Sequence, residues 1–371
     1  MGAHPSAPSG VERNGRHTTL DAVIAADPAG ELGEDCARRF GGRLPFLLKV
    51  LAASKSLSIQ VHPSREQAEA GFRAETERGL APGDKARNYV DDWPKPEILC
   101  ALTPFEVLAG MRTTADAAGL LRALAVGDLE LVADRLAAAG GPEALTEALT
   151  EALTRILTWP ADGRAALVDS VAAACARLAA EDGPYSAACA ATARLAAEHP
   201  GDLGVVASLL LRHAVLRPGQ AVFLPAGGLH SYLHGTGVEL LANSDNVVRA
   251  GLTGKHIDVP ELLKLTAPAV AVPVIEPRPL GRGVWVYDSP APEFRLYRAD
   301  LSGGEVTLPG GGARLVLCVE GTVTLRSAAG GTLKAARGES CFLSAADGAV
   351  AAAGPAAVFI AACGLAASDG D

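Results

Sequence analysis

The stretch Pro218–Val259, PGQAVFLPAGGLHSYLHGTGVELLANSDNVVRAGLTGKHIDV, limits the fold more than any other part of this chain. Its β-prone runs, Val222–Leu224 and Val238–Ala242, are too short for helices and are separated by glycines such as Gly227–Gly228. Between and after them stand His230, the NSDN run Asn243–Asn246, Arg249 and Lys255. A buried core has no use for that mixture. Tightly turned β-structure that gathers polar side chains does, and the stretch reads as one half of a metal-centred site.

The other half lies upstream. In PFLLKVLAASKSLSIQVHPS, Leu57, Ile59 and Val61 alternate with Ser58, Gln60 and His62, which is a half-buried strand ended by Pro63. Strand side chains alternate between faces, so Ser58, Gln60 and His62 share one. Further on, Ile98–Leu102 reads as a buried strand, with Lys95 and Glu97 held extended before it by Pro94 and Pro96. Gln60, His62, Glu97 and His230 then form a mixed nitrogen and oxygen ligand set that suits zinc or another divalent first-row ion. With no thiolate, such a site keeps Lewis acidity and an open position. A Gln-x-His pair alone is more often structural, so the spacing by itself is a modest signal.

Around these segments the chain falls into blocks. Residues 1–45 are rich in Gly, Pro and Arg, with a short helix expected at Glu34–Arg39. A charged helix is expected over 64–80 and a turn at Pro82–Gly83. From Thr113 to about Pro200 the period is helical, including EALT three times in Glu143–Thr154, a short tetrad run better explained by slippage in a tolerant helix than by a repeat fold. Helices are expected at Arg164–Ala180, Tyr185–Glu198 and Pro260–Leu265, and the whole insertion is expected to be structural. Beyond Ala267, short strands at regular spacing predict a small β-sandwich or barrel. A length of 371 residues exceeds one ordinary core. The expected architecture is mainly β with a helical insertion: two cupin or jelly-roll barrel units plus an α-helical domain. Its boundaries are 1–112 for the first part of the catalytic unit, 113–202 for the insertion, 203–266 for the second part and 267–371 for a metal-free C-terminal unit.

Composition excludes several classes. A net charge of −9 argues against nucleic acid or an anionic membrane as the main partner. Seven cysteines form no CxxC pair, which suits reduced thiols in a cytoplasm. The start MGAHPSAPSGVERNGR lacks an apolar signal core, and no run reaches the ~18 apolar residues of a membrane span. Asp91, Asp92 and His256 read as solvated or turn residues. Lys49, in an apolar run, reads as a snorkelling surface lysine unless a site claims it.

The motifs together resemble a known family. Gly219, Pro225, Gly227 and His230 are spaced like the second metal-binding motif of the cupin superfamily, with His234 in place of its closing asparagine. QVHPS, WPKPEIL and the Pro218–Val259 stretch are together similar to type I phosphomannose isomerases, the zinc-dependent mannose-6-phosphate isomerase family, over about Met1 to Val259. The resemblance implies one zinc ion per chain on Gln60, His62, Glu97 and His230, and a catalytic Arg249. It also implies an aldose–ketose isomerisation of a hexose 6-phosphate through a cis-enediolate. Lys49, Ser58 and Lys255 are then candidates for phosphate and hydroxyl contacts. Lys95, Asp245 and a metal-bound water remain alternatives for moving the proton. A monomer is expected, with oligomeric state left open. The family has further strands before the equivalent of MGAHPSAPS, so an open sheet edge is expected at this end. A non-catalytic sugar-phosphate-binding cupin is the rival reading, and an iron oxygenase a third, which Gln60 and the Lys/Arg set speak against.

Overall fold

A computed structural model describes residues 1–13, 15–81, 83–84 and 86–365. The turn expected at Pro82–Gly83 therefore lies partly outside the described residues. The site-bearing unit is a curled, barrel-like antiparallel sheet of nine strands among the described residues. Eight of them build the site: β1 (Phe46–Ala53), β2 (Ile59–Val61), β3 (Glu97–Ala101), β4 (Phe105–Met111), β5 (Leu211–Leu216), β6 (Ala221–Leu224), β7 (His230–Ala242) and β8 (Val248–Gly251). The ninth, Val274–Ile275, pairs with β6. Strand β7 organises them. Its first residues pair with β2 and β4, its later ones with β1 and β3, so one long strand passes from one wall of the barrel to the other. The register slips between Tyr232 and His234, and Gly235 follows with φ +133°. A Cβ on Gly235 would lie 2.8 Å from the Phe105 backbone, so only glycine fits this bend. Sequence alternation predicts a strand only at Val238–Ala242. The bulge and bend break that alternation and hide the earlier half.

The barrel interior is filled by Leu99, Ala101, Phe105, Val107, Leu216, Val222 and Tyr232. Ile59 and Val61 are fully buried as expected, which leaves Ser58, Gln60 and His62 on the opposite face of β2. Outside β1, only the Met1 backbone pairs with Leu48 among the described residues, and Val50 is half exposed. That strand edge is open beyond it.

Helix α1 (Arg65–Glu77) starts at a capping box in which Ser64 and Gln67 bond each other's backbone. The helical stretch comprises α2 (Thr114–Leu124), α3 (Glu130–Ala138), α4 (Pro142–Leu157), α5 (Arg164–Ala179), α6 (Ser186–Glu198) and the single turn α7 (Gly204–Ala207). The EALT tetrads form α4. Leu149 and Leu153 face the core, while Thr146, Thr150 and Thr154 each donate to the carbonyl four residues back. These helices share one core with Ile59, Val61, Leu108 and Val248 of the barrel.

The N-terminal region carries more structure than its composition suggests. A hairpin joins Gly10–Arg13 to Arg16–Thr19, and helices Leu20–Ala26 and Pro28–Leu32 precede the expected one at Glu34–Arg39. Each helix is a turn or two long, below the length at which hydrophobic period becomes visible.

The C-terminal unit repeats the architectural device. Its long strand Arg314–Ser327 pairs with Ser340–Leu343 and Ala356–Ala362 through its first half, and with Thr332–Ala336 and Val350–Ala353 through its second. The fold is mainly β, with two curled sheets and a helical insertion, as expected.

Candidate active site

Strand pairing sets the site. Gln60 on β2 is directly opposite His230 on β7 and, on its other side, Arg249 on β8. Three residues far apart in sequence thus form one row across the sheet, on one face. Glu97, the first residue of β3, and His62, just past β2, close over that row. His62 Nε2 lies 3.3 Å and His230 Nε2 3.6 Å from the two oxygens of Glu97. The Gln60 carboxamide lies 3.2 Å from His230 Nε2. His62, Glu97 and His230 are each 1 % exposed.

The ring tautomers follow from the backbone. His62 Nδ1 donates to the Asn246 carbonyl at 2.8 Å and His230 Nδ1 to the Gly228 carbonyl at 2.9 Å. Each Nε2 is then a lone pair, and both aim at a carboxylate. His62 Nε2 has no hydrogen-bond partner among the described residues. Burial, aided by the Lys95 ammonium, lowers the His62 pKa to about 4, so the ring is neutral at pH 7. Burial works to raise the Glu97 pKa, but the Lys95 ammonium, at 2.8 Å, holds it well below its ordinary value. Beyond the Lys95 ammonium that Glu97 already holds, the two acceptor nitrogens facing the ionised carboxylate present lone pairs that a metal ion would share. His62, Glu97 and His230 offer ligand atoms within 4.8 Å of one another, and the Gln60 carboxamide stands beside them with its Nε2 toward His230. The residues present fit a divalent ion.

A rigid support surrounds this cluster. Asn246 is fully buried. Its side-chain oxygen accepts from the Val90 and Asp91 backbones, and its amide donates to the Asp91 and Trp93 carbonyls. Asp91 receives Ser244 Oγ at 2.8 Å and the Asp245 N–H at 2.9 Å, and burial raises its pKa. The sequence reading of Asp91 as a solvated turn residue is corrected: it fastens the NSDN segment whose carbonyl orients His62. Its two partners lie about 150 residues away, and no local signal announces them. Tyr232, also unremarked in sequence, donates to Glu97 at 3.4 Å from a fully buried ring.

The remaining sequence candidates divide. Lys95 is in the cluster. Arg249 stands beside Gln60, and burial lowers its pKa from the ordinary guanidinium value. Lys49 pairs with Glu239 at 3.6 Å, directly across β1 and β7, and Glu239 is itself buried and raised in pKa by burial and by nearby Glu97. Ser58 is half-buried one residue before β2. Asp245 is 53 % exposed in its side chain and lies 3.2 Å from His4 Nε2, a partner outside the metal-ligand cluster. Lys255 is exposed on the loop after β8, and His234 is exposed on β7.

A buried mixed histidine–carboxylate–amide centre on facing strands of a curled antiparallel barrel defines a metal-dependent protein of the cupin type. Residues 1–114 match the family model for the catalytic domain of type I phosphomannose isomerase. The mannose-6-phosphate isomerase of Escherichia coli K12 is 37% identical over 347 residues, covering 92% of this chain and 85% of the relative. That of Bos taurus is 31% identical over 344 residues, covering 88% and 78%. A crystal structure of the Salmonella typhimurium mannose 6-phosphate isomerase, bound to its substrate and to zinc, superimposes with a TM-score of 0.86 at 33% identity, covering 98% of this chain and 90% of that one. The chain belongs to the type I phosphomannose isomerase family. Among its described residues no helix is long and apolar enough to cross a membrane.

Proposed function

We propose that this chain interconverts mannose 6-phosphate and fructose 6-phosphate, with one zinc ion held by Gln60, His62, Glu97 and His230. The observation that carries the reading is the pair of imidazole lone pairs aimed at the Glu97 carboxylate, in a chain that belongs to this family. Bound there, zinc supplies Lewis acidity toward the sugar oxygens at C1 and C2. The chain's own groups do the rest. In the aldose-to-ketose direction a base takes the proton from C2, and a cis-enediolate forms. The proton returns to C1 while a hydroxyl proton passes from O2 to O1, so atoms and charge balance. Arg249, fixed beside Gln60, offers a planar fork of donors to the negative charge of the enediolate. Lys95, an ammonium paired with Glu97 at the cluster, is assigned to donating a proton to the sugar oxygens, and Asp245, beside His4, is kept as a candidate for taking the C2 proton. Lys49, Ser58 and Lys255 are assigned to the substrate's phosphate and hydroxyls.

We assign residues 1–112 and 203–266 to the catalytic unit, 113–202 to the insertion and 267–371 to the C-terminal unit, which lends its first strand, Val274–Ile275, to the edge of the catalytic sheet. Arg249 and Lys95 beside the metal ligands favour an enzyme over a sugar-phosphate binder. The test is a coupled assay with mannose 6-phosphate on the purified chain. Turnover should vanish with chelator and return on adding zinc, and His230→Ala should lower it by roughly three orders of magnitude, the equivalent of several kcal/mol of charge stabilisation. A folded, zinc-loaded chain without chelator-sensitive turnover would refute the reading.

A further inference from the structure

The end of the helical insertion touches both loops that flank the site. Ser56, in the loop leading to Ser58 and Gln60, donates its N–H and hydroxyl to Glu198 at 3.1 and 2.8 Å, and its Oγ lies 2.8 Å from His199 Nε2. Three residues further on, Asp202 reaches the other loop. Its Oδ1 accepts from the Gly204 N–H at 2.7 Å and its Oδ2 from the Thr253 N–H at 3.0 Å.

The loop so held has an unfavourable backbone. Leu252, only 2 % exposed, adopts φ +56°, in the left-handed region. A branched side chain there costs on the order of 1 kcal/mol and persists only when the surroundings impose it. The imposing contacts are visible. A Cβ on Gly204 would lie 2.5 Å from the Leu252 nitrogen, so two backbones meet with no room for a side chain. Thr253, pinned by Asp202, accepts the Lys255 N–H on its Oγ1 at 3.1 Å. Upstream the same segment is the strand that carries Arg249 beside Gln60.

We propose that Asp202 is a positioning residue for the isomerisation: its carboxylate locks the Gly251–Lys255 loop so that Lys255 meets the substrate's phosphate. The inference rests on the isomerase reading and on the assignment of Lys255 in it. It gives the insertion a task in substrate binding, where the sequence indicates only a structural one.

The experiment uses the zinc-loaded full chain. Asp202→Ala should raise KM for mannose 6-phosphate about tenfold while kcat changes far less, because a displaced binding group weakens uniform binding. Zinc content should match that of the parent. The double variant Asp202→Ala/Lys255→Ala should have the KM of Lys255→Ala alone, since Asp202 acts through Lys255. A merely structural Asp202 would instead give effects that multiply, and that result overturns the proposal, as does a parental KM in Asp202→Ala. Should Asp202→Ala not fold, Thr253→Ala removes only the acceptor of the Lys255 N–H and should raise KM in the same direction; an unchanged KM there is equally fatal. Absence of turnover in the parent chain reports on the isomerase reading instead.

Discussion

At the residue scale, buried polar atoms are committed before any ligand arrives. Each site histidine spends its Nδ1 on a backbone carbonyl, which fixes the tautomer and leaves Nε2 toward the metal position. A second charged knot, away from the site, makes a pH prediction. Glu106 accepts from His213 at 2.7 Å and from Arg194. Burial alone would raise its pKa, but these two donors outweigh burial and lower it to about 2 from 4.5. The unfolded chain therefore takes up this proton first as pH falls. The stability contributed is complete above pH 4.5 and is lost as pH drops toward about 2. Arg194 is 55 % exposed, and solvent screening reduces the contribution. Glu106→Gln should cost about 1–2 kcal/mol at pH 7, seen as a lower urea midpoint in metal-free protein. The gap to the parent should narrow as pH is lowered through that window; a gap that widens would contradict the assignment.

At the scale of elements, the legible parts were those whose signal is local. The strand at Ile59–Val61, the helices of the insertion and the short C-terminal strands follow from period and turn residues. The N-terminal hairpin and its two extra helices did not, because each is too brief for a period to register. The continuation of β7 back to His230 was hidden by its bulge. Helix α1 is fixed by a sequence-readable device, the Ser64–Gln67 capping box just after His62 and Pro63. Ser64→Ala should cost about 1 kcal/mol, since a lost N-cap typically does. Thermal unfolding should show that loss with zinc content unchanged. A large fall in bound zinc would mean that the cap orients His62 as well as stabilising the helix.

At the scale of the whole molecule, the two β units are joined by a common core. Phe46, Ile98, Phe223 and Leu240 of the catalytic barrel pack in one cluster with Tyr287, Phe294, Leu296, Leu315 and Phe359 of the C-terminal unit. Tyr287, fully buried, donates to the Gly219 carbonyl at 3.0 Å and receives Cys100 Sγ at 3.0 Å. Removing residues 267–371 would strip that face of the barrel of its cover. Each large side chain laid bare forfeits about 1.5–3 kcal/mol of burial, against a total stability of only about 5–15 kcal/mol. The shortened chain should bind a hydrophobic dye and lose its cooperative melting transition. A sharp transition with zinc still bound would prove the catalytic unit self-sufficient.

The fold class and the family of this protein were legible in its residues alone. The ligand types, the glycines that let β-strands turn tightly, the helical period of the insertion and the family resemblance all depend on residue identity and short spacing. Other features exist only once the chain is folded: Gln60 stands between His230 and Arg249, Asp91 fastens the support of His62, Asp245 turns to His4, and Asp202 reaches Thr253. Those contacts join positions tens to hundreds of residues apart. Strand register and packing create them, and no local pattern in the chain encodes which distant atom a side chain will meet.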